Sequence, residues 1–230
     1  MALTIKEVQI SGGTAGLNGY LAEPEGAGKF PALIVIHEAF GLNDDIRGIA
    51  RRFAEQGYAA LAVDLFAGRN RMVCMARFMS GIFLNSLNHT GIQDLRVSLN
   101  YLQTLPEVDS NRAGAAGFCM GGSFAIAWAS GDNRLKAIAP FYAMNPRPLE
   151  AVERLCPVVG SYPGDDFTAS AGRKLDEALD GYKIEHDIKI YPDSTHSFFS
   201  GARRDAKAGN GPAADDSWNR MLAFFKQKLS

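Results

Sequence analysis

The chain has little of what marks several classes of protein. Its three cysteines, Cys74, Cys119 and Cys156, are odd in number and widely spaced, which argues against a disulfide framework and indicates reduced thiols in the cytoplasm. Lysine and arginine number 24 against 25 aspartates and glutamates, without basic blocks. Neither nucleic acid nor an anionic membrane is therefore an expected partner.

Long apolar runs and metal-binding spacings are also missing. No apolar run approaches the roughly 20 residues of a membrane span, and Met1 to Glu7 lacks a charged segment followed by an apolar one, so we expect no signal peptide. His37-Glu38 lacks the second histidine of a His-Glu-x-x-His helix. We expect no metal and no cofactor, and a monomer or small homo-oligomer.

What is present predicts one α/β domain over residues 1–230. Apolar runs typical of buried strands alternate with amphipathic stretches, which predicts a mainly parallel central sheet with helices on both faces. Strands are predicted at 8–10, 17–23, 31–36, 58–65, 113–116, 135–142, 157–162 and 182–191. Helices are predicted at 43–56, at 90–106 with a Thr90/Gln93 capping box, after residue 119, at 169–179 and at 215–228.

The least regular stretch is residues 66–90, which is rich in methionine and phenylalanine without a clear period. Such insertions often lie over binding sites, so we expect these residues to line a pocket.

The motif that organises the chain is Gly117-Phe118-Cys119-Met120-Gly121-Gly122, placed between a predicted strand and a predicted helix. Gly-x-nucleophile-x-Gly in that position is typical of the nucleophile elbow of α/β-hydrolases. The elbow is a sharp turn, so its flanking side chains must be nearly absent. Cys119 is the candidate nucleophile, and the N–H of the following residue, Met120, is a candidate oxyanion donor.

Partners for the cysteine follow later strands, because ligands in open α/β sheets lie at the carboxyl ends of strands. His196 is the candidate general acid and base, and Asp166 is the candidate residue that orients its imidazole. Asp165 competes with Asp166 for that role, and Asp193 is a weaker rival. The order nucleophile, acid, histidine is that of α/β-hydrolases.

The set resembles the dienelactone hydrolase family, a cysteine branch of the α/β-hydrolases, over nearly the whole chain. Matching segments are Val35-Ile36-His37-Glu38 with Gly41, Val63-Asp64-Leu65-Phe66, the elbow, Gly164-Asp165-Asp166 and His196-Ser197-Phe198. The resemblance implies lactone or ester hydrolysis and favours Asp166 as the acid.

The resemblance also implies roles beyond the triad. It assigns the oxyanion hole to the backbone N–H groups of Ala39 and Met120. It implies that Glu38 contacts Cys119 and keeps the thiol protonated at rest, and a carboxylate beside a thiol does disfavour the thiolate.

Two positions depart from the family pattern. Family members specific for dienelactones bind the substrate carboxylate with two arginines. Here Arg69 lies one residue late, and Ser200 stands four residues after His196, with Arg203 further on. Arg69 and Arg203 are candidate substrate-binding residues if the loops shift; otherwise the pocket accepts an uncharged ester.

Two other hypotheses compete with hydrolysis. A glutamine amidotransferase-like protein also uses a strand–cysteine–helix turn, but it does not need the late Asp166 and His196. A thiol-based redox or regulatory protein that keeps the hydrolase fold without turnover needs no oriented base. Replacing His196 separates these hypotheses, because only a hydrolase loses turnover.

Overall fold

The structure is a computed structural model that describes residues 2–84, 87–200 and 211–230. Its strands are β1 (Leu3–Gln9), β2 (Asn18–Pro24), β3 (Phe30–Ile36), β4 (Ala59–Asp64), β5 (Val108–Phe118), β6 (Leu135–Phe141), β7 (Val158–Pro163) and β8 (His186–Tyr191). Its helices are α1 (Asp44–Glu55), α2 (Arg71–Leu84), α3 (Thr90–Gln103), α4 (Met120–Ala129), α5 (Ala169–Tyr182) and α6 (Pro212–Lys228), with a 3₁₀ helix at Leu149–Arg154.

Within the described residues, eight strands form one sheet in the order β1-β2-β4-β3-β5-β6-β7-β8. The hairpin of β1 and β2 is antiparallel, and β2 also pairs antiparallel with β4. The pairs from β4 through β3 to β8 are parallel. The predicted single-domain α/β architecture with a mainly parallel sheet is confirmed.

Apolar side chains fill both faces of this sheet, which explains why its central strands read as continuous apolar runs. One face packs against α1 and α6 through Phe53, Trp218 and Phe225. The other packs against α3, α4 and α5, with Leu99, Trp128 and Leu175 among the buried residues. Helices therefore cover both faces, and the polar side chains of the strand ends gather at the rim.

Two helices show how local patterns set their bounds. Asn43 caps α1, since its side-chain Oδ1 accepts a hydrogen bond from the Ile46 N–H at 3.0 Å, as the sequence predicts. In α6 the predicted stripe of Trp218, Met221, Leu222 and Phe225 is buried. The predicted ends of both helices lie within three residues of the observed ends, because their apolar residues recur at helical spacing.

The stretch predicted to be irregular is largely helical, because α2 occupies residues 71–84. Cys74 and Phe78 of this helix are buried in the core, whereas Met72 and Val73 are exposed. The next helix, α3, is capped by His89 and not by a Thr90 capping box, since the His89 Nδ1 accepts from the Gly91 N–H at 3.1 Å.

Candidate active site

The elbow cysteine lies where β5 meets α4. Cys119 has a positive φ of 54° with ψ at −115°, a strained conformation for a residue with a side chain. A Cβ on Gly117 would meet the Gly121 carbonyl, and a Cβ on Gly121 would meet the Ile36 carbonyl. Glycine is therefore required at both positions for α4 to approach the strands, as the motif predicts.

The predicted acid and base meet across two loops. His196 follows β8, and its Nδ1 lies 2.9 Å from Oδ2 of Asp166, which follows β7. The other carboxylate oxygen accepts hydrogen bonds from the Thr168 N–H at 2.7 Å and the Thr168 hydroxyl at 2.6 Å. Asp165 is exposed and its N–H donates to the Ser194 carbonyl. The geometry thus makes Asp166, not Asp165 or the exposed Asp193, the carboxylate partner of His196.

Aromatic rings hold the imidazole of His196. Phe167 stacks on it with ring centroids 5.5 Å apart and planes 14° from parallel. Tyr142, which follows β6, contacts it at 5.0 Å. Neither residue is recognisable as a site residue from the sequence, because these contacts join loops from different strands and leave no local pattern.

Glu38 is buried and has a hydroxyl partner. Its carboxylate Oε1 accepts a hydrogen bond from the Ser200 hydroxyl at 2.8 Å. Burial, followed by the nearby Glu38 carboxylate, raises the pKa of Tyr142 well above its ordinary value. Ser200 stands four residues after His196, at the place where the resemblance puts an arginine. At this sequence position the chain therefore has a neutral hydroxyl, and that hydroxyl contacts Glu38.

These groups surround a cavity of about 130 Å³ that Cys119 and His196 both line. Its walls also contain both residues proposed for the oxyanion hole, and its lining is mostly apolar: Ala39, Met75, Met120, Ser123, Tyr142, Met144, Asn145, Arg147, Phe167 and Thr168. A larger cavity of about 530 Å³ near the start of α6 contains neither Cys119 nor His196. The smaller cavity is therefore the candidate active site.

The predicted arginines contrast with the one that lines the cavity. Arg69 does not line it, and its Nε donates to the Phe66 carbonyl at 3.2 Å. Arg203 lies outside the described residues. Arg147, which is not one of the predicted arginines, lines the cavity. From the residue 66–90 stretch, Met75 lines the cavity, while Phe78 lies in the core.

A metal centre and a membrane-spanning helix are two further features to consider. In the described part of the chain, no group of three or more His, Cys, Asp or Glu residues is placed to hold a metal ion. None of the described helices is long and apolar enough to cross a membrane.

Comparisons with known proteins bear on the whole chain. Residues 17–229 match the model described as "Dienelactone hydrolase family". A protein of Saccharolobus solfataricus named "Putative carboxymethylenebutenolidase" is 30% identical over 258 residues, covering 96% of this chain and 98% of the relative. A Synechocystis protein with the same name is 30% identical over 92% of each chain.

The fold is also similar to that of a solved structure. The crystal structure of a "Putative Dienelactone Hydrolase" from Klebsiella pneumoniae superposes with a TM-score of 0.84 at 25% identity. The superposition covers 99% of this chain and 100% of the other.

Proposed function

Because the chain belongs to the dienelactone hydrolase family, whose members act on lactones and esters, we propose that it cleaves a lactone or small carboxylic ester through an acyl-cysteine intermediate. The observation that carries this proposal is the Asp166–His196 hydrogen bond at a cavity that Cys119 also lines. Nucleophile, base and orienting carboxylate come from the ends of β5, β8 and β7.

In the first half of the reaction the Cys119 sulfur attacks the ester carbonyl carbon. The thiol proton passes to Nε2 of His196, whose Nδ1–H is held by Asp166. The tetrahedral oxyanion is stabilised by the N–H groups of Ala39 and Met120. The carbon–oxygen bond to the leaving group then breaks, and His196 gives its proton to the departing alkoxide.

In the second half, water replaces the alcohol. His196 Nε2 takes a proton from water as the hydroxide attacks the thioester carbon. The carbon–sulfur bond breaks, the carboxylic acid leaves, and the proton on His196 returns to the sulfur. Asp166 stays ionised throughout and stabilises the imidazolium that forms in each half.

Glu38 is proposed to hold the resting thiol in its protonated form. Its buried carboxylate disfavours a second negative charge nearby. The Ser200 hydroxyl, at 2.8 Å, fixes the orientation of this carboxylate. Because Ser200 is neutral, this contact brings no positive charge to Glu38.

For the substrate, we propose an ester whose far end carries an anion. A second cavity of about 260 Å³ shares Met144, Asn145 and Arg147 with the active-site cavity, and Lys174 lines it as well. The positive charges of Arg147 and Lys174 on these walls favour a carboxylate in this position.

The test is an ester hydrolysis assay with paired variants. Cys119→Ala is expected to abolish turnover, whereas Cys156→Ala, which removes a thiol whose pKa burial raises to about 12, should leave it intact. Asp166→Asn should lower kcat by about 10²-fold or more, and the exposed Asp165→Asn should not. Full activity in Cys119→Ala would contradict the proposal. A wild type that hydrolyses no ester or lactone while Cys119 oxidises reversibly would favour the redox hypothesis instead.

A further inference from the structure

A second histidine, His37, lies immediately after β3 and is fully buried. Its Nδ1 is 2.6 Å from the Glu38 carbonyl oxygen, and its Nε2 accepts a hydrogen bond from the Leu65 N–H at 3.1 Å. Since Nε2 is an acceptor, the ring proton is on Nδ1, which donates to the Glu38 carbonyl. Both ring nitrogens are therefore committed to backbone groups.

The tautomer is fixed by this environment. Burial lowers the pKa of His37. A proton on Nε2 would also point at the Leu65 N–H, which replaces an attractive contact with a repulsive one. The Asp64 carboxylate, whose Oδ1 lies 4.0 Å from Nε2, is the charged group facing the ring, and Phe66 packs on it at 4.9 Å. His37 therefore stays neutral, with Nδ1 as the donor.

The Glu38 carbonyl belongs to the same peptide group as the Ala39 N–H. In a planar trans peptide the C=O and N–H bonds point in opposite directions, so fixing one fixes the other. The Gly41 N–H also donates to the Glu38 carbonyl, at 3.2 Å. Ala39 itself lines the cavity that contains Cys119 and His196.

We propose that His37 is a positioning residue that aims the Ala39 N–H at the substrate oxyanion, by holding the opposite end of the same peptide group. This inference rests on the proposed hydrolase function, because it assigns Ala39 as an oxyanion donor. The Leu65 contact ties the loop after β3 to the end of β4, so the orientation is anchored to the sheet. The donated hydrogen bond also polarises the peptide and strengthens its N–H as a donor.

Two conservative variants separate this role from general stability. In His37→Asn the amide nitrogen occupies the position of Nδ1 and can still donate to the Glu38 carbonyl. In His37→Gln the amide oxygen reaches the position of Nε2 and can still accept from the Leu65 N–H, but the donor to Glu38 is lost. Each variant thus keeps one of the two backbone contacts.

We expect His37→Gln to lower kcat for an ester by about 10²-fold, the size of effect seen when one oxyanion donor is lost. KM should change by less than about threefold, since the contact between the Ala39 N–H and the oxyanion is made in the transition state. His37→Asn should keep kcat within about tenfold of wild type. Alkylation of Cys119 by iodoacetamide forms no oxyanion, so its rate should match wild type in both variants.

Equal loss of kcat in the two variants would overturn the proposal, as would an alkylation rate that falls together with kcat. If either variant fails to fold, nitrogen NMR of the wild-type histidines provides the test. The Nδ1–H tautomer of His37 should persist from pH 5 to 9, and an Nε2–H tautomer would overturn the proposal. This NMR result does not depend on turnover, whereas retained hydrolysis in Cys119→Ala would overturn the proposed function alone.

Discussion

His196 and His37 lie at the same edge of the sheet, but the structure holds them in different ways. The Nδ1 of His196 meets the Asp166 side chain, and aromatic rings pack against its imidazole. His37 has no exposed surface, and both of its ring nitrogens meet backbone groups. A histidine oriented by a carboxylate at a cavity suits proton transfer, whereas one bound to the backbone on both sides suits a scaffold.

The largest expected effect comes from the histidine at the cavity. His196→Ala should lower kcat/KM by roughly 10³-fold or more, because the proposed nucleophile loses its base. The matched control is His186→Gln on β8, whose ring contacts Asp176 and the Ile184 carbonyl away from the cavity. The measurement is kcat/KM for ester hydrolysis by each of the two variants. Equal losses would remove the distinction between His196 and an ordinary structural histidine.

The next largest effect concerns the backbone of His37 itself, which lies against Gly121. In Gly121→Ala the new methyl group would meet the Ile36 and His37 carbonyl oxygens. Overpacking against backbone that cannot give way should reduce the free energy of unfolding by about 3 kcal/mol. Gly181→Ala, in a helix with open space around the position, is the control and should be neutral or stabilising. Urea denaturation of both variants measures these changes in stability. A Gly121→Ala protein as stable as wild type would contradict the close approach of Gly121 to the Ile36 and His37 carbonyls.

Parts of the fold and site that depend on local spacing could be predicted from the sequence. The elbow glycines, the Asn43 cap and the strand-end positions of Asp166 and His196 each leave a signal within a few residues. The choice of Asp166 over Asp165 came only from resemblance, since neighbouring carboxylates look alike until the chain folds.

What the sequence missed depends on contacts between distant segments. Tyr142, Phe167 and Arg147 reach the cavity only because the segments that follow β6 and β7 meet there. Helix α2 was not predicted because its apolar residues are not confined to one face, and some of them, such as Met72, are exposed. Packing, and not periodicity, determines which of these side chains point inward.

His89 extends the comparison to a histidine held largely by the core. Burial lowers the pKa of His89 to about 4, and its ring packs on Phe78 and Phe124. In the unfolded chain the His89 ring takes up a proton near pH 6.5, whereas in the folded protein it does so only near pH 4. The contribution of neutral His89 to stability is therefore fully present above pH 6.5 and is lost as the pH falls toward 4. We expect a loss on the order of 1–2 kcal/mol between pH 7 and 4.5.

The variant that isolates this effect is His89→Asn, because asparagine also caps helices and does not titrate. Denaturation at a series of pH values should show a flatter dependence in His89→Asn than in wild type. Identical slopes would mean that His89 is as accessible to protons as in the unfolded chain.

The smallest expected effect lies in the cavity wall. Arg147→Gln should raise KM for an ester with a terminal carboxylate by about tenfold, the loss of one charge-assisted contact. KM for a neutral ester of the same length should stay unchanged. Arg154→Gln, on the 3₁₀ helix and paired with Glu153, is the control. Equal changes for both esters would exclude an anion subsite at Arg147.

The most direct test of the proposed mechanism is to trap its intermediate. Wild-type protein and His196→Ala are mixed with an activated ester, quenched in acid within seconds, digested and analysed by mass spectrometry. The proposed mechanism predicts that the peptide with Cys119 carries the mass of the acyl group. This species should persist longest in His196→Ala, where deacylation lacks its base. Rapid ester hydrolysis by the wild type with Cys119 unmodified at every time point, and with acyl mass on another residue or on none, would contradict it.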